Sequence, residues 1–357
     1  MKCLLYEAHK HHNYDPVSEN TFKSELSTLD PNMGFAQMSE GTSSTDLTNS
    51  KFGKCPVGSI MSYQTSFTES NFSAVANLTS VLRNNTPVNA QELNYYPRFP
   101  LSNDNAMVVP RELSDTVEAL MKHLTVHDDR IHSIKSTTRE QPGCDEWKSQ
   151  RTYRFTASKF HLISRRKRNQ QSFAQSLMHQ KPFSSKYVTH GFKYEPIALQ
   201  QYEKFMFNRK TPVAVLKSGF VVLKSCPVLG ASPDAKVVDF GCSLCFGLAE
   251  VKCPYAKFHV TPLEACSDPT FLMEKVSDTK CKLKRDHPYY AQVQAQLGIT
   301  GAKWCDFIVY TGKGIYIERV PFDATYWQNL RSKFLQYHFK HFLKFATADF
   351  QNSAEGH

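Results

Sequence analysis

The sequence predicts an α/β fold of the mixed-sheet (α+β) kind, in which helices pack on one sheet. Three observations carry that expectation. Helical and strand-like patterns follow one another as helices, a strand meander, a helix, two strands and a helix, an order that suits a mixed sheet covered by helices. With 41% hydrophobic and 12% aromatic residues over 357 positions, the chain can bury a sizeable core. No apolar run approaches the roughly 20 residues that a membrane span requires, so no membrane partner is expected.

The first helical pattern begins near Ser114, a residue type suited to an N-cap. Val117, Leu120, Met121 and Leu124 follow at helical spacing, and Ile131 and Ile134 continue the apolar face. Trp147 and Arg151 lead into Phe155-Thr-Ala-Ser-Lys-Phe160, where Thr156 can cap a second helix. Another helix is predicted over 190–206, with Tyr194, Ile197, Ala198, Tyr202 and Phe205 on its apolar face and Glu195 beside it. Strands are predicted over 219–223, 235–239 and 246–251, the last two joined as a hairpin through 239–245. A helix over 289–297, strands over 304–310 and 314–319, and a long terminal helix over 323–346 complete the order.

Residues 1–112 are different in character. They are rich in Ser, Thr and Asn, and segments such as Ser39–Asp46 read as flexible. Tyr63, Phe67, Phe72, Tyr95, Tyr96 and Phe99 argue against full disorder and for irregular segments docked on the folded part. The expected division is an N-terminal extension over 1–112, a folded domain over 113–350 and a tail over 351–357.

Charge follows the same division. The extension holds 8 basic and 11 acidic residues, whereas the remainder holds 35 and 22, a net of +13. Basic charge surrounding an acidic site is what a DNA-cleaving protein requires, because phosphates are attracted globally and metal ions locally. The ten cysteines are irregularly spaced and read as reduced thiols, and Cys242-x-x-Cys245 is only half of a zinc site. The N-terminus has too short an apolar stretch for a secretory signal, so an intracellular protein is expected. Arg165-Arg-Lys-Arg168 reads as a solvated loop, a DNA-backbone contact or a nuclear-import run.

The most informative residues are Asp234, in Gly230-Ala-Ser-Pro-Asp234, and Glu250 and Lys252, in Leu248-Ala-Glu-Val-Lys-Cys-Pro254. Side chains two apart on a strand share a face, so Glu250 and Lys252 point the same way while Val251 packs behind. Hairpin pairing can bring Asp234 beside Glu250. Two carboxylates suit a hard divalent cation, with the Val251 carbonyl between them as a further oxygen. A lysine there can orient water or neutralise charge developing on a phosphate. An ordinary ion pair on a hairpin is the plainer reading of the same three residues.

Four further segments occur in a fixed order with this triplet: Arg151-Thr-Tyr-Arg-Phe-Thr-Ala-Ser158, His190-Gly-Phe-Lys-Tyr-Glu195, Ser232-Pro-Asp234 and Tyr290-Ala-Gln-Val-Gln-Ala-Gln296. With them, residues 145–311 resemble the lambda-exonuclease/YqaJ-type viral recombinase family, a branch of the restriction-endonuclease-like PD-(D/E)xK nuclease fold. The resemblance implies that Asp234, Glu250 and Val251 hold Mg²⁺, with Mn²⁺ as the alternative. It implies that Lys252 positions the attacking water, that Glu195 completes the acidic cluster and that Gln292 orients the groups around the metal. Arg151, Ser158 and Ser232 would hold a terminal 5′-phosphate. Gln292 and Gln294 lie about 200° apart on a helix, so at most one faces the site. Ala235 stands where the family usually has Gly.

The function implied is a Mg²⁺-dependent exonuclease acting on double-stranded DNA from a 5′ end, in recombination, repair or mobile-element processing. The resemblance also brings a homotrimer and a single-strand annealing partner into consideration. A non-catalytic DNA-binding module on the same fold and a structure-specific endonuclease are the competing expectations.

Overall fold

The computed structural model describes residues 47–50, 53–56, 72–78, 100–101, 105–109, 113–178 and 185–355. The chain separates into two compact units, 1–69 and 70–357. In the first, β1 (Leu47–Ser50) and β2 (Gly53–Pro56) pair antiparallel. Ser39–Asp46, Tyr63, Phe67, Tyr95, Tyr96 and Phe99 lie outside the described residues.

The second unit opens with β3 (Ser73–Asn77), followed by helices α1 (Asp115–Leu124), α2 (Asp128–Thr137) and α3 (Asp145–Arg151). Next come β4 (Phe155–Thr156), α4 (Phe160–Ser164), α5 (Gln170–Met178) and the long α6 (Lys186–Asn208). Strands β5 (Val213–Lys217), β6 (Val221–Val222), β7 (Leu229–Ala231), β8 (Ala235–Asp239) and β9 (Phe246–Lys252) follow. After α7 (Pro262–Ala265), a hairpin of β10 (Met273–Ser277) and β11 (Lys280–Leu283) precedes α8 (Pro288–Thr300). The strands β12 (Trp304–Thr311) and β13 (Gly314–Pro321) lead to α9 (Ala324–Tyr337) and α10 (Leu343–Glu355), joined by a π-helical turn at 338–342.

The main sheet has the order β3-β13-β12-β9-β8-β5. It is mixed, with β9 parallel to β12 and antiparallel to β8. Each face has its own core. Leu248, Phe307 and Val309 pack under α8 and α9, whereas Ala249, Val251 and Ile308 pack against Ala198, Tyr202 and Met206 of α6. The period-2 alternation along β9 therefore sends Glu250 and Lys252 toward α8 and leaves α6 on the other side.

A buried ionic cluster ties α6 to the sheet. Arg319 donates to both oxygens of Asp306 at 2.7 Å and to Asp239 at 2.6 Å, and Tyr202 of α6 donates to Asp306 at 2.5 Å. The Arg319 guanidinium lies 3.7 Å from the centre of the Trp304 ring. The carboxylates Asp239 and Asp306 are fully buried, and this bidentate geometry is the arrangement that offsets their desolvation.

Several expectations change. Residues 73–77, placed by sequence in an irregular extension, form a parallel edge strand on β13. Ser-Ala-Val-Ala-Asn has weak strand propensity, and the pairing depends on Gly314, where a Cβ would meet the Ser73 carbonyl at 2.4 Å. Phe72 packs on Tyr310 at 6.1 Å. The strand expected over 219–223 shrinks to Val221–Val222, in a separate three-stranded sheet with β7 and β4. Strands β5, β10 and β11 were not anticipated, although 273–283 alternates polar and apolar residues around a turn. The helix expected over 190–206 starts at Lys186, capped by Ser185, and carries Pro196 in its interior. The terminal helical region reaches Glu355, into the expected tail. Ser114 and Thr156 occupy cap positions without a side-chain capping bond.

Replacing Arg319 with Met should leave the buried Asp306 and Asp239 without their guanidinium partner. We expect a loss of about 3–5 kcal/mol in urea unfolding, as for other broken buried ion pairs.

Candidate active site

Asp234 immediately precedes β8, and the pairing of Ala235 with Ala249 sets it beside Glu250. Its Oδ2 accepts a 2.7 Å hydrogen bond from the Val251 N–H. Pro233 comes just before the strand, where no ladder donor is needed. Gln141 fixes this turn: its Nε2 donates to the Pro233 carbonyl at 2.9 Å and to that of Ser218 at 3.1 Å. Gln141 adopts a φ of 45°, in the left-handed region that non-glycine residues rarely occupy.

Glu250 is 1% exposed and is held by three donors. Oε1 accepts from Lys252 and, at 2.6 Å, from Gln292; Oε2 accepts from Gln296 at 2.7 Å. Gln292 and Gln296 are one turn apart on α8 and so share a face. Gln294 points elsewhere, donating to the Pro321 carbonyl at 2.9 Å and accepting from the Asp323 N–H at 2.8 Å. Sequence reasoning selected Gln292 and missed Gln296, although the four-residue spacing was legible. Lys252 also lies 4.6 Å from the centre of the Tyr289 ring.

The charges interact strongly. Burial, then Glu250 and Glu195, push the Asp234 carboxyl well above its ordinary range, against the pull of Lys252 and the Val251 N–H. Burial and Glu250 likewise raise Glu195. Burial draws the Lys252 ammonium down, but Glu250 and Asp234 more than offset it and hold it charged. Glu195, Asp234, Val251 and Lys252 line one cleft of about 500 Å³.

The donor set of Asp234, Glu250 and the Val251 carbonyl is all oxygen, and crowding of its acids favours a cation, so the residues fit a hard divalent ion. Glu195 lines the cleft with Asp234, and its charge acts on that of Asp234; among the described residues, no three His, Cys, Asp or Glu side chains form a metal-binding group. Glu195 arises from α6, on the opposite face of the sheet from Glu250, and reaches the cleft around the strand ends.

A polar side-chain cluster forms around Ser232, two residues before Asp234. Trp147 donates to Ser232 Oγ at 2.9 Å, Arg151 donates to the same oxygen at 3.3 Å, and the Arg151 guanidinium stacks 3.8 Å from the Trp147 ring centre. The parallel pairing of Thr156 with Gly230 makes the 157–159 turn and the 232–234 turn leave the same end of two strands. Ser158 is exposed and lies 3.3 Å from Thr156 Oγ1; among the described residues it makes no hydrogen bond to Arg151 or Ser232. Lys159, which sequence reasoning passed over, belongs here. Burial, then the neighbouring Arg151, bring its pKa down to about 8. Arg151 itself is lowered to about 10 by burial. Of the basic run, Arg165 donates to the Asp286 carbonyl at 2.7 Å and Arg166 lies over Phe173 at 4.5 Å, so two of its four side chains are engaged within the fold.

Residues 146–303 match the model of the YqaJ-like viral recombinase domain. No curated protein matches. Among solved structures, the alkaline exonuclease LHK-Exo from Laribacter hongkongensis, also determined in complex with dAMP, is 21% identical, with a TM-score of 0.44 over 59% of this chain and 98% of its own. The shutoff and exonuclease protein of Kaposi's sarcoma-associated herpesvirus is 12% identical, with a TM-score of 0.35 over 60% and 72%.

Burial and the neighbouring Glu250 and Glu195 disfavour an ionised carboxyl at Asp234 in the metal-free fold, a cost that an amide there does not carry. Asp234→Asn should therefore melt at a higher temperature than the parent in chelator, as measured by calorimetry.

Proposed function

We propose that this chain is a divalent-metal-dependent DNA exonuclease that acts from a 5′-phosphorylated end of duplex DNA. The carrying observation is the closeness of the Arg151–Ser232 cluster to Asp234 in the cleft. Ser232 and Asp234 are two residues apart, no more than roughly 7 Å of extended chain. A terminal phosphate held by Arg151 and Ser232 would thus lie about one nucleotide from a phosphodiester facing Asp234. The family match and the basic charge of residues 113–357 support a nucleic-acid substrate.

Asp234, Glu250 and the Val251 carbonyl would hold Mg²⁺ or Mn²⁺, which when bound supplies charge stabilisation at the phosphate and acidifies water. The chain's own residues do the positioning. Lys252 presents a charged ammonium to the cleft, suited to orienting the attacking water and to meeting charge that develops on phosphate oxygens. Gln292 and Gln296 fix the Glu250 carboxylate so that it needs no rearrangement during the reaction. Arg151 offers a planar donor set to a terminal phosphate, and its stacking on Trp147 holds that plane. Lys159 adds a second cation to the same pocket.

End-labelled linear duplex incubated with Mg²⁺ should be degraded from the 5′ end, while closed circular DNA stays intact. Asp234→Asn should abolish cleavage and Lys252→Met should slow it by about 10²–10⁴-fold. Cutting of the closed circle would instead establish an endonuclease, and binding without cleavage a non-catalytic module.

The pocket also predicts a pH dependence. Protonated Lys159 attracts phosphate below about 8 and loses that attraction as pH rises through this value. The rate ratio between 5′-phosphate and 5′-hydroxyl substrates should therefore fall from pH 7 to pH 10, and Lys159→Gln should flatten the fall. A ratio unchanged by either pH or substitution would remove Lys159 from the pocket.

A further inference from the structure

The mouth of the cleft is unusually aromatic. Tyr187, Phe192 and Tyr255 line it, yet they are 58%, 56% and 45% exposed. Large exposed aromatic surface is costly in water and, when gathered at one cleft, marks a binding site. We propose that Tyr187, Phe192 and Tyr255 form a stacking platform for unpaired bases of a single DNA strand entering the cleft. This rests on the reading of the cleft as the site of DNA cleavage and extends it to how the strand is held.

The geometry favours a nucleic-acid strand as occupant. Tyr187, Gly191 and Glu195 recur every four residues on α6 and so lie along one face. Eight residues of helix put the Tyr187 backbone roughly 12 Å from that of Glu195 along the axis. Between them, a Cβ built on Gly191 would meet nothing within 4 Å, leaving open space against the helix backbone. Tyr255 is three residues beyond Lys252, so the rim is supplied by the same strand end that carries the catalytic lysine.

The platform is backed by a rigid wall. Tyr255 packs edge-on to Tyr187 at 5.5 Å and to His190 at 5.2 Å, and His190 in turn packs on Phe258 at 4.5 Å. Phe258 contacts Tyr194 at 4.4 Å, deeper in the α6 core. Cations accompany the rings: the Lys186 ammonium lies 5.5 Å from the Tyr187 ring centre and 5.1 Å from that of Tyr255. Aromatic faces interleaved with ammonium groups match the alternation of bases and phosphates in an unpaired strand, and such stacking tolerates any base. Stacking on neighbouring base pairs hides the base faces within a duplex, so the platform would favour a strand already separated from its complement.

The test uses the full chain and a single-stranded oligonucleotide carrying 2-aminopurine, in EDTA so that nothing is cleaved. Stacking should quench the 2-aminopurine fluorescence on binding. Tyr187→Ala and Phe192→Ala should each abolish much of the quenching and weaken affinity by about 5- to 100-fold, the range expected for one lost base–aromatic stack. Tyr187→Trp should retain both. Neither position is buried, and an unchanged melting curve will show that each variant folds. Binding with no quenching, or quenching indifferent to both alanine substitutions, overturns the platform and leaves the rim for a protein partner. Cleavage of linear duplex with Mg²⁺ is measured separately on the unmodified chain, so loss of the platform and loss of the nuclease reading are distinguished.

Discussion

A carboxylate can be buried in the middle of a sheet only if its oxygens are paired, and Glu250 imposes that requirement on everything around it. Lys252, Gln292 and Gln296 supply three donors, two of them from a helix distant in sequence. The position of α8 over β9 is therefore fixed by polar satisfaction as well as by apolar packing. Asp234 is then set by register beside this saturated group, with the Val251 N–H as its partner. The acidic pair is thereby held in place before any cation arrives.

The opposite face of the sheet solves a related problem. Arg319 brings Asp239 and Asp306 into one hydrogen-bonded ionic cluster, and Tyr202 extends it to α6. That helix carries Glu195, Tyr187 and Phe192, so their place at the cleft depends on a buried ion pair on the other face of the sheet from Glu250. The sheet thus holds two polar constructions, one on each face. The Arg319 cluster is held by its own hydrogen bonds, whereas burial, then Glu250, keep Asp234 and Glu195 raised. Only the second is poised for a ligand.

Much of the site was legible because its logic is short-range. The two-residue spacing of Glu250 and Lys252 fixes a shared face in any strand. The helical phase of Gln292 against Gln294 separates one site residue from one structural residue. The missing parts depend on long-range placement. Glu195 looked equivalent to the other acids, but its helix lies on the other side of the sheet. Ser158 sits in the expected turn without contacting Arg151. Lys159 and Trp147 acquire meaning only when the parallel pairing of β4 with β7 brings their turn to Ser232. Among the elements, β3 escaped notice because it is alanine-rich and stabilised by a glycine more than two hundred residues away.

We expect Asp234 and Glu250 to form one divalent-cation site. Calorimetric titration with Mg²⁺ in buffers of different ionisation enthalpy tests it most directly. Burial and its acidic neighbours favour a protonated Asp234 in the metal-free fold, so binding should release protons and the apparent heat should vary with the buffer. Asp234→Asn should remove both the binding and the buffer dependence. Mg²⁺ binding that persists unchanged in that variant, or no binding by the parent chain, would contradict the account.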